Sequence, residues 1–353
     1  MPKYKICVYA ICKNEEKFVE RWMDSMSEAD MIVVTDTGST DQTVKKLRGR
    51  GAVVYEEKIK PWRFDTARNI SLSHIPDDID IAVCTDLDEI FRPGWRKALE
   101  KAWVPGTTTG NYLYNWSLND DGTPKVQFTY FKIHTKADYT WSCPVHEYLQ
   151  YIGNEPEKKV FIDGLILDHY PDKTKSRGSY LPLLETATRE EPDNIRMIYY
   201  LGREYMYAGR WQDCIKTLKH YLEMPSAIWN EERCASMRWI AISYVNLDDM
   251  AEAYRWYYRA VAEAPDMRDP YIEFAKAAYD IKDWATVFYM INEALKIKER
   301  STTYVNMAYS WDHTPYDLSA IACYNLGMYD KALTHVRSAI EMSPQDERLR
   351  LKE

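Results

Sequence analysis

The chain has 353 residues, 46% of them hydrophobic and 28% charged, with a net charge of −8 and a pI near 5.5. That mixture is ordinary for folded globular proteins and excludes a disordered chain, and the length suggests two domains at about 150 residues each. The sequence holds no apolar run of the ~18 residues a membrane span needs, residues 1–7 (MPKYKIC) lack an apolar signal segment, and the acidic balance speaks against a dedicated nucleic-acid binder.

The first half alternates strand and helix patterns. Residues 5–11 (KICVYAI) form a short apolar run rich in β-branched side chains and are predicted as a buried strand, and residues 31–35 (MIVVT), 52–55 (AVVY) and 80–85 (DIAVCT) as the second, third and fourth strands. Between them, residues 14–27, 40–50 and 65–74 carry helical spacing, for example Phe18, Trp22 and Met26. Strands alternating with helices predict a parallel sheet covered on both faces. Residues 110–168 change to short alternating strands with turn signals such as Asn119-Asp120-Asp121-Gly122, a pattern that predicts antiparallel pairing.

From Leu181 onward the pattern is helical and repeats. Small residues that allow close helix packing recur at Cys214, Ala253, Val287 and Ala332, spaced 39, 34 and 45 residues apart. Three residues before each stands Trp211, Met250, Trp284 or Tyr329, and upstream in each unit lies a second small residue, Gly202, Ala241, Ala275 or Ala320. Pro265 and Pro344 end units, with Pro225 one residue out of register. Over residues 193–349 this pattern resembles the tetratricopeptide repeat, whose period is 34 residues. The segment 301–315 (STTYVNMAYSWDHTP) interrupts the last two units, either as a lid or acceptor-contact loop or as a packed insertion. Residues 179–353 carry a net −6 against −2 for residues 1–178, which suits a protein or peptide contact better than a phosphate. Seven scattered cysteines with no Cys-x-x-Cys pair are expected to be reduced thiols of a cytoplasmic protein. The 28 Tyr and 12 Trp suit sugar contacts, but most are assigned to helix packing.

The chemistry concentrates at the strand ends, where open α/β sheets bind ligands. Cys84-Thr85-Asp86-Leu87-Asp88-Glu89 closes the fourth strand with three carboxylates in four residues. These repel one another unless a cation sits among them, and oxygen ligands beside a diphosphate point to Mn²⁺ or Mg²⁺; the alternative is an acidic first turn of a helix. Ile11-Cys12-Lys13-Asn14-Glu15-Glu16 follows the first strand, Thr35 to Thr43 (TDTGSTDQT) the second, and Phe64-Asp65-Thr66-Ala67-Arg68-Asn69 the third. Asp36 can accept hydrogen bonds from a base or ribose, Gly38 permits a tight turn, and Ser39, Thr40 or Asp41 can cap the next helix. Arg68 is a candidate contact to base or diphosphate, or else a surface partner of Asp65.

These four motifs, in this order, resemble the family 2 glycosyltransferases of the GT-A fold over residues 1–175. The resemblance implies an α/β GT-A domain with a Rossmann-like, mostly parallel sheet over residues 1–178, followed by an all-α tetratricopeptide-like repeat domain over residues 179–353. It implies a nucleotide-sugar donor, a UDP-sugar foremost, near Ala10, Cys12, Asn14, Glu15, Asp36, Gly38, Ser39, Arg68, Asp86 and Leu87. It further implies inversion at the sugar with Mn²⁺ or Mg²⁺ on Asp88, and Asp86 touching the ribose or the metal through water. His169 resembles the late histidine that completes such a metal site, or is a packed histidine at the domain junction. Inversion needs a carboxylate base; Glu147 in Pro144-Val145-His146-Glu147 is the candidate, with Asp168 and Glu89 competing. His146 would orient acceptor or diphosphate, or make an ordinary hydrogen bond. The basic cluster 173–177 (KTKSR) would fold over the diphosphate or serve as a linker. The two-part architecture is similar to peptide S-glycosyltransferases that modify bacteriocin precursors, but the acceptor stays open among peptide, protein and glycan. The repeats would position it or join two subunits. A non-catalytic sugar-nucleotide-binding scaffold and a DNA-base glycosyltransferase are the alternative readings.

Overall fold

A computed structural model describes residues 3–172, 178 and 180–351. The basic cluster 173–177 lies outside the described residues. The chain divides into two compact units, Met1–Ala187 and Thr188–Glu353.

The first unit is built on an eight-stranded sheet. Its parallel half is formed by β1 (Ile6–Cys12), β2 (Met31–Asp36), β3 (Val53–Glu56) and β4 (Ile81–Cys84), in the spatial order β3-β2-β1-β4. The helices α1 (Val19–Met26), α2 (Thr43–Gly49) and α3 (Phe64–Ser73) connect them, as the alternating pattern predicts. Helices α1 and α2 start later than their apolar spacing suggests. Asn14 takes a left-handed conformation (φ 54°), and the α2 N-cap is Gln42, without a side-chain cap bond, rather than Ser39, Thr40 or Asp41; the Asp41 carboxylate, one residue earlier, accepts from the Thr43 amide at 3.0 Å.

The other half departs from the local pattern. A short strand, β5 (Glu89–Phe91), follows the acidic turn, and α4 (Trp95–Ala102) comes next. The pair β6 (Thr109–Leu118) and β7 (Pro124–His134) is the antiparallel hairpin that the Asn119–Gly122 turn predicts. After β8 (Tyr139–Ser142) and β9 (Tyr148–Tyr151), which pair with each other, the long β10 (Lys159–His169) does not extend the antiparallel series. It inserts between β6 and β5, parallel to the first and antiparallel to the second. Alternation along a strand reports which face is buried, not which neighbour it takes, so this pairing is invisible locally.

Two apolar layers cover the sheet. One joins Ile6, Val8 and Ala10 of β1 to Trp22 and Met26 of α1 and Trp95 and Leu99 of α4; the other joins Cys7 and Tyr9 to Leu72 of α3 and to Trp141 and Leu149 of β8 and β9. All seven cysteines are free and buried.

In the second unit, after α5 (Tyr180–Glu190), the described residues form the hairpins α6 (Ile195–Tyr207)/α7 (Trp211–Glu223), α8 (Asn230–Asn246)/α9 (Met250–Glu263), α10 (Asp269–Asp280)/α11 (Trp284–Lys296) and α12 (Thr314–Asn325)/α13 (Tyr329–Met342), closed by the short α14 (Glu347–Arg350). The predicted small residues fall in pairs, one on each helix of a hairpin, and all are buried. At Gly202 the reason is geometric: a Cβ there would come within 2.2 Å of the Leu218 side chain. The architecture is therefore a GT-A-like α/β unit and a tetratricopeptide-like helical array. Segment 297–313 is packed against the array. Asp269 of α10 accepts from the Met307 amide at 2.6 Å and the Ser310 hydroxyl at 3.0 Å, and the Tyr309 hydroxyl donates to Glu273 at 2.6 Å.

Candidate active site

Each loop at the carboxyl end of the parallel strands is fixed by its own hydrogen bonds. After β2, Asp36 Oδ1 accepts from the amides of Gly38 and Ser39, both at 2.9 Å, while Oδ2 takes the Ser39 hydroxyl and the Cys12 thiol. Gly38 sits at φ 109°, which a side chain rarely adopts. Asp36 thus shapes its own loop. The loop is stitched to the one after β1: the Asn14 amide donates to Ser39 Oγ at 2.8 Å, the Thr40 amide to Asn14 Oδ1 at 2.7 Å, and the Glu15 amide to Thr43 Oγ1 at 2.8 Å. Ala10 and Leu87 lie wholly in the core, so only their main chain can face a ligand.

The third and fourth loops meet in a chain of alternating charges. Arg68, on the first turns of α3, is only 4% exposed. Its Nε donates to Glu147 Oε1 and its Nη2 to Asp86 Oδ1, both at 2.7 Å. Asp65 is instead held by Arg63, at 2.9 Å, so the surface pair Asp65–Arg68 does not form. The second oxygen of Asp86 accepts from Lys132 of β7 at 3.1 Å, and Lys132 reaches Glu89 at 3.2 Å. Glu89 also accepts from the Tyr114 hydroxyl and from the Asp86 amide, each at 2.9 Å. Burial works against the Asp86 charge, but Arg68 and Lys132 outweigh it and hold the carboxyl well below the usual range. Glu89 is buried more completely and is pushed upward by that burial, with Lys132 opposing.

Asp88 stands apart from this chain. The antiparallel register sets His169 opposite Glu89, which carries the imidazole to the adjacent Asp88: Nε2 is 3.5 Å from Asp88 Oδ2. His169 Nδ1 faces the Trp116 carbonyl at 3.0 Å and so carries the hydrogen, leaving Nε2 for Asp88. Burial lowers this imidazole, yet the hydrogen bond and charge of Asp88, with Glu89, raise it overall. Trp116, half exposed, packs on the same ring at a tilt of 34°, centroids 4.7 Å apart.

The donors fit a divalent cation. Asp86, Asp88, Glu89 and Glu147 set against Arg68 and Lys132 leave two negative charges, and the His169 imidazole, once a cation displaces its proton, beside one carboxylate oxygen suits Mn²⁺ or Mg²⁺. Among the described residues no group of three or more His, Cys, Asp or Glu side chains is assembled around a metal position. Such ions need few protein ligands when phosphate oxygens and water supply the rest.

The β8–β9 loop presents the remaining candidates. Cys143 and His146 both have positive φ, 79° and 51°, an uncommon conformation that persists only where surroundings enforce it. Here the Phe64 amide donates to the Pro144 carbonyl at 2.9 Å, and Asn69 clamps Trp141 through both its amide and carbonyl at 2.8 Å. The loop therefore delivers Glu147 to Arg68, while the His146 ring meets Tyr180 edge-on at 5.5 Å. Of the competing carboxylates, Asp168 is consumed by Arg92, at 2.9 and 3.1 Å, and by Asn115 at 2.6 Å.

Lys132, Tyr114 and Asn115 escape the motif search because they lie on strands, away from the signature loops, and Arg92 because it directly follows the short strand β5 rather than standing in a motif. A lysine inside the aromatic strand Phe128–His134 (FTYFKIH) was the available signal: it shares a strand face with Phe128 and Tyr130.

Behind the site, Trp141 Nε1 donates to the Tyr9 hydroxyl and that hydroxyl to His134 Nε2, both at 2.8 Å; His134 Nδ1 donates to the Thr135 carbonyl at 2.8 Å. Burial pushes this histidine down to about 4. The unfolded chain takes up the proton near pH 6.5 and the folded one only near 4, so stability is full above pH 6.5 and falls as pH drops through that window. The slope is about 1.4 kcal/mol per pH unit for one proton. Denaturant titrations from pH 7 to 4 should show it, and a His134→Gln variant should lose that one-proton share.

Residues 7–143, all within the first unit, match the family described as Glycosyl transferase family 2. Over 240 residues the chain is 20% identical to the lipopolysaccharide core biosynthesis glycosyltransferase LpsC of Rhizobium meliloti (strain 1021), covering 60% of this chain and 84% of that relative. Among solved structures it is similar to MamA, with 17% identity, 51% of this chain and 99% of that one covered, and a TM-score of 0.40. It is also similar to glucosyl-3-phosphoglycerate synthase from Mycobacterium tuberculosis, solved with Mn²⁺ and UDP, with 26% identity, 32% and 45% coverage, and a TM-score of 0.28. Among the described residues no helix is long and apolar enough to cross a membrane.

Proposed function

We infer that the chain transfers a hexose from a UDP-sugar to a peptide, protein or glycan acceptor, with inversion, using Mn²⁺ or Mg²⁺. The observation that carries this reading is the Asp88–His169 pair, 3.5 Å apart, beside the Arg68 node at the strand ends of a family 2 domain. Asp88 and His169 would hold the cation, which when bound neutralises charge developing on the diphosphate leaving group. The stitched loops carrying Asn14, Glu15 and Ser39 would line the nucleotide, with Asp36 and Gly38 setting their shape. Arg68 holds Asp86 and Glu147 in fixed positions. Glu147 would take the acceptor proton as the new bond forms, and the saturation of Asp168 and Glu89 by donors supports that choice. His146 would orient acceptor or diphosphate. The helical array would position the acceptor or join two copies in a cytoplasmic enzyme.

Asp88→Asn tests the reading. UDP with Mn²⁺ at about 100 times its dissociation constant stabilises the native protein by about 2.7 kcal/mol. The variant should keep its unliganded melting temperature and lose the Mn²⁺-dependent increment. An undiminished increment would remove Asp88 from the metal site.

A further inference from the structure

The acidic turn between β4 and β5 is tied at both ends. The Glu89 amide donates to the Asp86 carbonyl at 3.0 Å, and the Asp86 amide donates back to the Glu89 carboxylate at 2.9 Å. Asp88 stands between these ends. The two end side chains are carboxylates, nearly buried in the case of Glu89, and would push apart without a counter-charge. Lys132 supplies it from a neighbouring stretch of the sheet: its ammonium lies 3.1 Å from Asp86 and 3.2 and 3.4 Å from the two Glu89 oxygens, on a side chain only 6% exposed. Strand β7 pairs directly with β4, so the lysine is mounted on the same sheet that carries the turn.

We propose that Lys132 is a positioning residue for the divalent cation: by clamping Asp86 and Glu89 it sets the turn so that Asp88 faces His169. The proposal rests on the reading that Asp88 and His169 hold the cation. Lys132 is itself a cation and touches no ligand of the metal, so its electrostatic and positioning effects have opposite signs. If charge alone mattered, removing a nearby positive group would tighten Mn²⁺ binding. If the clamp matters, removing it splays the turn and weakens binding, by the ~10–100-fold that loss of an outer-sphere partner typically costs.

The experiment measures free Mn²⁺ by electron paramagnetic resonance during titration of the full chain in the presence of UDP, with GDP as a second nucleotide. Lys132→Met should weaken Mn²⁺ binding at least tenfold, while Lys132→Arg, which keeps charge and two-sided hydrogen bonding, should stay within about threefold of wild type. Lys132→Gln serves where the methionine variant fails to fold: it loses the charge, keeps a single-sided donor, and should also weaken binding. Unchanged or tighter Mn²⁺ binding in the folded neutral variant overturns the proposal. Asp88→Asn is run alongside. If wild type binds no Mn²⁺ with either nucleotide, or Asp88→Asn binds it normally, the metal-site reading itself fails. If those controls behave and the Lys132 variants do not weaken, the clamp alone is wrong.

Discussion

Glu147→Gln is expected to lower kcat by about 10² to 10⁴ while leaving Mn²⁺-dependent UDP binding intact. The amide oxygen can still accept from Arg68 Nε, now at 2.7 Å from the carboxylate, so the loop should hold its place. What disappears is the ability to take a proton as the acceptor attacks. The loss should therefore appear in kcat rather than in donor affinity. It should be smaller for a thiol acceptor, already a few per cent ionised near neutral pH, than for a hydroxyl. Nucleotide release measured over several pH values checks this. Near-wild-type kcat throughout would move the base elsewhere, and Asp168 and Glu89, both enclosed by donors, would first have to shed them.

The largest stability effect is expected in the helical unit. Arg238 of α8 is 1% exposed and grips Glu273 of α10 with two bonds, at 2.8 and 2.5 Å. Burial opposes the Glu273 charge, but Arg238 outweighs it, with help from Tyr309, and keeps the carboxyl below its ordinary value. Arg238→Met strands that carboxylate. Breaking one side of a buried pair costs about 3–5 kcal/mol, whereas replacing both sides with apolar groups is often neutral. Hydrogen exchange of α8 and α10 should register the single change, and Arg238→Met combined with Glu273→Leu should recover most of it. A loss under 1 kcal/mol in the single variant would show that the pair is relaxed by water.

The sequence made the parallel half of the sheet plain, because β1, β2 and β4 are largely buried and read as continuous apolar runs, while the mostly exposed edge strand β3 was marked by its place in the strand–helix alternation. The array was equally open, since close helix contact demands small residues and Gly202, Ala241, Ala275 and Ala320 mark it. The strand-end loops that carry the candidate site residues were legible because each directly follows a predicted strand. The site was not legible where two distant strands must meet: nothing near His169 indicates that β10 will pair with a three-residue strand beginning at Glu89. Asp36 shows a different limit. Its place in a motif suggests a ligand contact, yet both its oxygens are occupied by its own loop, a competition among hydrogen-bond partners that residue type alone cannot decide.

Segment 297–313 changes how the helical array should come apart. An array whose repeats touch only their neighbours loses stability unit by unit and can fray from either end. Here the chain leaving α11 turns back: Tyr304 bonds Glu232 and the Val305 carbonyl receives Arg238, both on α8, while Met307, Tyr309 and Ser310 are held by α10. One stretch of chain thus belongs to two successive hairpins at once. Opening the α10/α11 hairpin strips partners from α8, so the middle of the array melts as one cooperative block, and fraying is left to α6/α7 and α12/α13.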